Sequence, residues 1–296
     1  MVIELDSGQL MFELTPPPRR ASAAIIQKNL DKIQAALSDL PLVNYINVPE
    51  VIEENRLGEP LYRNMDVCVF GKLLKERTQR EIIVNKVTPQ LESNDDFQKW
   101  LDSAVFGYSI SNFIFVGGSR GDVDYSGPSV LDANMIASKN PRINIGNIFI
   151  PSRQNEASRL VSKTQAGCSF FTTQVIFESG SAKHVLQNYD LECGRLNIKP
   201  SSLFLSFAPM ADAYDLEFCK WLGALVPPEI EARLLASPEK MGEISIQIAS
   251  DIFSEIISYC EDNGLDVPIS LNVEPLSMHN LELAAGMVRR LQPLMQ

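Results

Sequence analysis

A glutamate set among apolar residues is the first group in this sequence that could do chemistry. In Met11-Phe12-Glu13-Leu14 the carboxyl of Glu13 holds a strand-like position. Burial beside other groups would raise its pKa toward neutrality and suit it to general acid work. The alternative role is a structural partner for an Arg or Lys. A second cluster is Gly117-Gly118-Ser119-Arg120-Gly121-Asp122, where glycines free backbone N–H groups, Arg120 brings a guanidinium suited to a phosphate or a ring edge, and Asp122 can hold a polar ring atom. Glycines are also ordinary in such turns, and the spacing is not G-x-G-x-x-G. Gln174, closing Phe171-Thr172-Thr173-Gln174, is an uncharged donor and acceptor that could read a heterocyclic amide edge or cap a loop. Lys163, near the end of a predicted helix, reads by residue type as a solvated or dipole-compensating charge.

Several chemistries lack their residues. His184 and His279, the two histidines, have no acidic or cysteine neighbour at ligand spacing, and neither H-E-x-x-H nor G-x-S-x-G occurs, so zinc and serine-hydrolase functions have no support and no metal is expected. Five scattered cysteines, Cys68, Cys168, Cys193, Cys219 and Cys260, form neither a disulfide framework nor a metal pair and are expected as buried thiols. With 26 Lys and Arg against 37 Asp and Glu the net charge is −11, which repels phosphate backbones and argues against nucleic acid. No apolar run nears the ~20 residues of a membrane span, and the opening residues lack the basic and apolar regions of a signal peptide. A cytoplasmic location without a membrane partner is the expectation.

The elements that must position these groups follow a regular alternation. Strand-like runs cover Met11 to Thr15, Leu42 to Val48, Arg80 to Thr88, Asn112 to Gly118, Asn144 to Ile150, Ser169 to Phe177, Leu203 to Ala208 and Val267 to Val273. Between them lie helix-periodic stretches, among them Ala21 to Leu40, Leu61 to Gln79, Asp95 to Tyr108, Ser181 to Leu191, Met241 to Cys260 and Leu281 to Leu291. Eight apolar strands, each followed by helix, give a single-domain α/β (β/α)8 TIM barrel over residues 1–296, with a doubly wound sheet as the alternative. In a barrel, function collects where strands end. That rule selects Glu13 and Thr15, Asn47 and Glu50, Lys86 and Thr88, Arg120 and Asp122, Ser152 and Arg153, Gln174 and Glu178, Met210 and Asp212, and Asn272 and Glu274.

Several segments, in order along nearly the whole chain, resemble the methylenetetrahydrofolate reductase family. Phe12-Glu13-Leu14-Thr15-Pro16-Pro17 is similar to its F-E-F-x-P-P, Ser119-Arg120-Gly121-Asp122 to its L-R-G-D, and Lys163 through Gln174 to its K-x-x-A-G-A-x-x-x-x-T-Q. Leu271-Asn272 resembles the T-L-N near its last strand. The resemblance implies a flavoprotein oxidoreductase of one-carbon metabolism, with FAD (or FMN, or no flavin) and NADH or NADPH as electron donor, acting on a folate or related pterin. It makes Glu13 the general acid and assigns Thr88, Arg120, Gly121, Asp122, Arg153 and Lys163 to the cofactor and Gln174 and Asn272 to the substrate. A homo-oligomer or a partner subunit is compatible with it.

The departures cluster on the cofactor side. The family's H-L-T-C appears as Lys86-Val87-Thr88-Pro89, and its Y-P-E-x-H as Ile150-Pro151-Ser152-Arg153-Gln154, losing a tyrosine and the histidines. Two functional classes therefore follow: a reductase of a methylene-carrying tetrahydrofolate or related pterin, or a non-redox barrel that binds a reduced pterin as a methyl-transfer component or partner subunit. A polyglutamylated folate would need a local cationic patch, for which Arg120, Arg153 and Lys163 are the candidates.

Overall fold

Eight short apolar runs become eight strands: β1 (Leu10–Glu13), β2 (Tyr45–Val48), β3 (Glu81–Val87), β4 (Asn112–Val116), β5 (Asn144–Phe149), β6 (Phe170–Val175), β7 (Ser202–Phe207) and β8 (Ile269–Val273). In the computed structural model, which describes residues 7–55 and 57–295, each pairs in parallel with its sequence neighbours, and β8 closes on β1. The expected (β/α)8 barrel is the observed fold.

Ten α-helices surround it among the described residues: α1 (Ala23–Ser38), α2 (Val67–Thr78), α3 (Asn94–Asp102), α4 (Val130–Ala137), α5 (Glu156–Gln165), α6 (Gly180–Leu196), α7 (Ala213–Trp221), α8 (Pro228–Leu235), α9 (Met241–Asp262) and α10 (Leu281–Leu291). The boundaries that differ from expectation have local causes. α2 starts at Val67 because the Asp66 carboxylate accepts the Cys68 and Val69 N–H groups. This is the usual N-cap, satisfying donors that the first helical turn leaves free. The residues before it form a short antiparallel hairpin, Glu53–Glu54 with Pro60–Leu61. α6 runs on to Leu196 and stops where Asn197 takes a left-handed conformation, φ 53°, a geometry Asn tolerates.

Alternation along the strands makes two cores. Outward residues such as Phe12, Phe113, Phe115, Phe171 and Phe207 pack against the helices, while Met11, Tyr45, Ile83, Ile114, Phe170 and Phe204 fill the barrel interior. Phe204 meets Tyr45 and Phe170 edge-on, at ring centroid distances of 6.3 and 5.9 Å. Such contacts plug the barrel as a packed core, not a pore. All five cysteines are buried and unbridged, and no helix among the described residues is long and apolar enough to cross a membrane.

Gly146 on β5 belongs to this interior. A Cβ there would lie 2.4 Å from the Phe170 ring and 2.9 Å from Ile114, so the glycine is what lets the Phe170 ring occupy the barrel axis. Replacing it overpacks a site with no room to yield. Gly146→Ala is expected to cost about 1–3 kcal/mol, read as a lowered denaturation midpoint in urea with the unfolding slope unchanged.

Candidate functional site

One inward position above the apolar plug, the barrel lining turns polar. β1 pairs with β8 through Phe12 and Val273, and with β2 through Glu13 and Asn47. Extending the register by one residue places Glu13 beside Glu274, both on the inward face. Neighbouring strands stand about 4.8 Å apart, so the two carboxyls share one wall of the mouth. Glu13 accepts a hydrogen bond from Asn47 Nδ2 (2.7 Å). Asn272 Nδ2 donates to Glu274 (3.0 Å) and to Ser206 Oγ (2.9 Å), and Ser206 Oγ lies 3.1 Å from Thr172 Oγ1.

This wall lacks positive charge. Among the described residues neither Glu13 nor Glu274 forms an ion pair, so Glu13's alternative role as the partner of an Arg or Lys is not the one observed. Burial, then the neighbouring Glu274, holds the Glu13 carboxyl well above its ordinary range against the Asn47 hydrogen bond. Burial likewise pushes Glu274 up to about 7, with a hydrogen bond to Ser206 working the other way. Desolvation and a like charge both favour the protonated acid. The side-chain oxygens of Asn47, Asn85 and Asn272 are buried without a hydrogen-bond partner. By strand alternation all three face the interior. The mouth therefore offers unused acceptors beside a carboxylic acid.

Of the residues expected at the site, Glu13 and Asn272 come together here. Gln174 stands at the rim on the inward face of β6, its Nε2 donating to the Leu222 carbonyl (2.9 Å), so it ties down the segment after α7. The others are dispersed. Buried Thr88 donates to the Pro128 carbonyl (2.9 Å), stapling two loops. Arg120 forks onto Asp122 at 3.1 and 2.7 Å, with Asp122 pointing into solvent. Arg153 is exposed, 3.9 Å from the buried Glu156 carboxylate. Lys163 lies against the outward Phe171 ring and donates to the Ile148 carbonyl (2.7 Å), where burial lowers its pKa.

These positions bear on the FAD site that the resemblance implies. A dinucleotide's diphosphate needs free cations or backbone N–H groups. Lys163 sits on the outer wall of the barrel, and Arg120 and Arg153 stand beside carboxylates. The Arg120 N–H donates to Tyr125 Oη (3.3 Å), and Glu54 accepts from Tyr125 (2.8 Å) and Ser119 (2.6 Å). A carboxylate thus lies against the turn that was to receive phosphate. Arg120, Arg153 and Lys163 are therefore each already engaged within the protein.

Lys86, which stands where the resemblance would place a histidine, serves a different structure. Its ammonium pairs with Glu50 (2.7 Å) and faces the Tyr62 and Trp100 rings at 5.9 and 5.5 Å. Glu50 also accepts the Val87 N–H (2.8 Å). The pair borders a cavity of about 270 Å³ whose walls include Pro16, Asp66 and Tyr62.

The strand-end rule already points to Asn47 and Glu274, but sequence reasoning assigned them no role. Asn85 it missed, although its two-residue offset from the interior Ile83 is a readable signal.

No protein-family profile matches this chain, and no curated protein matches it in sequence. Among solved structures, a similar one is an uncharacterized protein from Clostridium thermocellum that binds two copies of 5-methyl-5,6,7,8-tetrahydrofolic acid. It is 20% identical, the match covers 97% of this chain and 96% of that one, and the TM-score is 0.79. The two share a fold.

Two outcomes are expected from the charges. Lys86→Met leaves Glu50 buried without its partner and should destabilise the protein by about 3–5 kcal/mol, with part of the loss recovered in the Lys86→Met/Glu50→Gln double variant; urea unfolding of all three chains reads this. For Glu274, a raised folded pKa means that its stabilising contribution is complete below the ordinary value of 4.5 and is lost as pH rises through about 7. Glu274→Gln should therefore gain stability relative to the parent between pH 5 and pH 8, measured as the difference in thermal midpoint.

Proposed function

We propose that the barrel mouth binds a reduced, one-carbon-bearing pterin and that Glu13 is the acid that activates it. The observation that carries this reading is the pairing of a carboxylic acid that forms no ion pair among the described residues with three unpartnered carboxamide oxygens on the same inward face. A reduced pterin presents several N–H donors along one edge and basic nitrogens at the carbon-bearing end, so its donors complement these acceptors. Buried polar groups left unmatched cost free energy, which favours a ligand supplying the missing donors. The tetrahydrofolate ligand of the structurally similar clostridial protein and the motif resemblance around Glu13 and Gln174 support the same class.

The chemistry assigned to the site is proton donation to an amine nitrogen of the adduct. In the reductase reading Glu13 gives its proton as a methylene bridge opens to an iminium, and a hydride from NADH or NADPH then reduces the carbon. Proton, hydride and electron pair balance, and the acid is positioned before reaction begins. The engagement of Arg120, Arg153 and Lys163 favours a second, non-redox reading in which the same acid site holds a methyl-bearing pterin for transfer.

Calorimetric titration with 5-methyltetrahydrofolate tests the binding that both readings require. Saturable binding is expected, and no heat at millimolar ligand would overturn the proposal. NAD(P)H oxidation with methylenetetrahydrofolate separates the readings: turnover supports the reductase, while binding without turnover supports the methyl carrier. Absorbance near 370 and 450 nm in the purified protein would restore a flavin. In the reductase case, Glu13→Gln should keep the affinity and slow turnover by about 10²–10⁴-fold.

A further inference from the structure

We propose that Glu13 and Glu274 form a carboxylic acid pair holding one proton between them, in which Glu274 is the positioning residue that keeps Glu13 charged with the proton it donates. Neither the motif resemblance nor the clostridial likeness bears on Glu274. The inference deepens the reading above and rests on it for function, although the pair itself is a property of the ligand-free protein.

The geometry supplies two constraints. First, the register of β1 on β8 puts the two side chains on adjacent strands, in the same rung and on the same face. Closing the barrel forces this adjacency, because the two residues are 261 positions apart in sequence and come onto neighbouring strands only where β8 returns to β1. Second, the surrounding groups hold both carboxyls in place without neutralising either. Asn47 donates to Glu13, and Asn272 and Ser206 hold Glu274. Facing the pair from β3 and β6 are the neutral Asn85, Thr172 and Gln174. From α7 come the Cys219 thiol, itself raised by burial and then by Glu274, and Asp215, which accepts from Asn280 Nδ2 (2.8 Å) and the Ala211 N–H (2.7 Å). These neighbours add no positive charge.

Two carboxyls on adjacent strands do not both ionise near neutrality, so once one proton has left the other is retained. Glu13 is the more open of the two and Glu274 the more buried. Glu13 thus faces the ligand, while Glu274 sits behind it, fixed by Asn272.

The test uses the full chain carrying ¹³C-labelled glutamate side-chain carboxyls, titrated by NMR without ligand, with Glu13→Gln and Glu274→Gln identifying the two resonances. In the parent protein both resonances should move in the same two pH steps, one of them well above the ordinary carboxyl range. In Glu274→Gln the Glu13 step should fall by about one unit or more, and in Glu13→Gln the Glu274 step should fall likewise. Independent single-step titrations, unchanged by either substitution, would overturn the pair. If Glu274→Gln fails to fold, the Glu13→Gln titration alone decides. Where turnover is found, Glu274→Gln should shift the high-pH limb of the kcat profile downward with KM little changed; a uniform loss at every pH would refute the positioning role. A coupled pair in a protein that binds no pterin would instead overturn the function and leave the pair standing.

Discussion

The constraint on which this site depends is the closure of the barrel. Eight strands joined into a ring fix which residues look inward, and the last strand must lie against the first. At the level of Glu13 that closure sets two carboxyls on neighbouring strands, neither in an ion pair among the described residues. The cost of burying them is borne by the apolar plug beneath and by helix packing outside. The mouth can keep a polarity that an isolated sheet could not hold, because strand ends are anchored by ladders that continue below them.

Lys86, Arg120 and Lys163 are placed elsewhere. Lys86 locks Glu50, Arg120 locks Asp122, and Lys163 clasps the β5 backbone from the outer wall. This division separates two kinds of carboxylate. Paired ones hold loops and helices in position, whereas burial without a counter-ion raises Glu13 and Glu274 and suits them to proton transfer. It is on this division that the proposed binding of a donor-rich heterocycle rests.

The fold was legible in the residue pattern because parallel barrel strands are buried on both faces and read as continuous apolar runs, each ended by Pro, Gly or a polar residue. Glu13 stood out by being charged inside such a run, and Asn272 by ending one. Legibility failed in the loops. Arg120, Arg153 and Lys163 are cations at plausible spacings, but their partners Asp122, Glu156 and the Ile148 carbonyl were invisible until side chains had directions. Lys163 is the clearest instance: its motif context suggests the mouth, yet the rotation of α5 turns it against Phe171 on the outer face.

The sequence by itself determined the alternation of strand and helix, the apolar filling of the barrel and the presence of an acid on the first strand, since these depend on periodicity and residue type over a few neighbours. Tertiary structure alone decided which polar groups meet. The placement of Glu274 beside Glu13, the burial of three unpartnered carboxamide oxygens on the inward face and the engagement of the loop cations all depend on contacts between residues far apart in the chain. Local propensity carries no information about such contacts, and only the register at which the ring closes sets them.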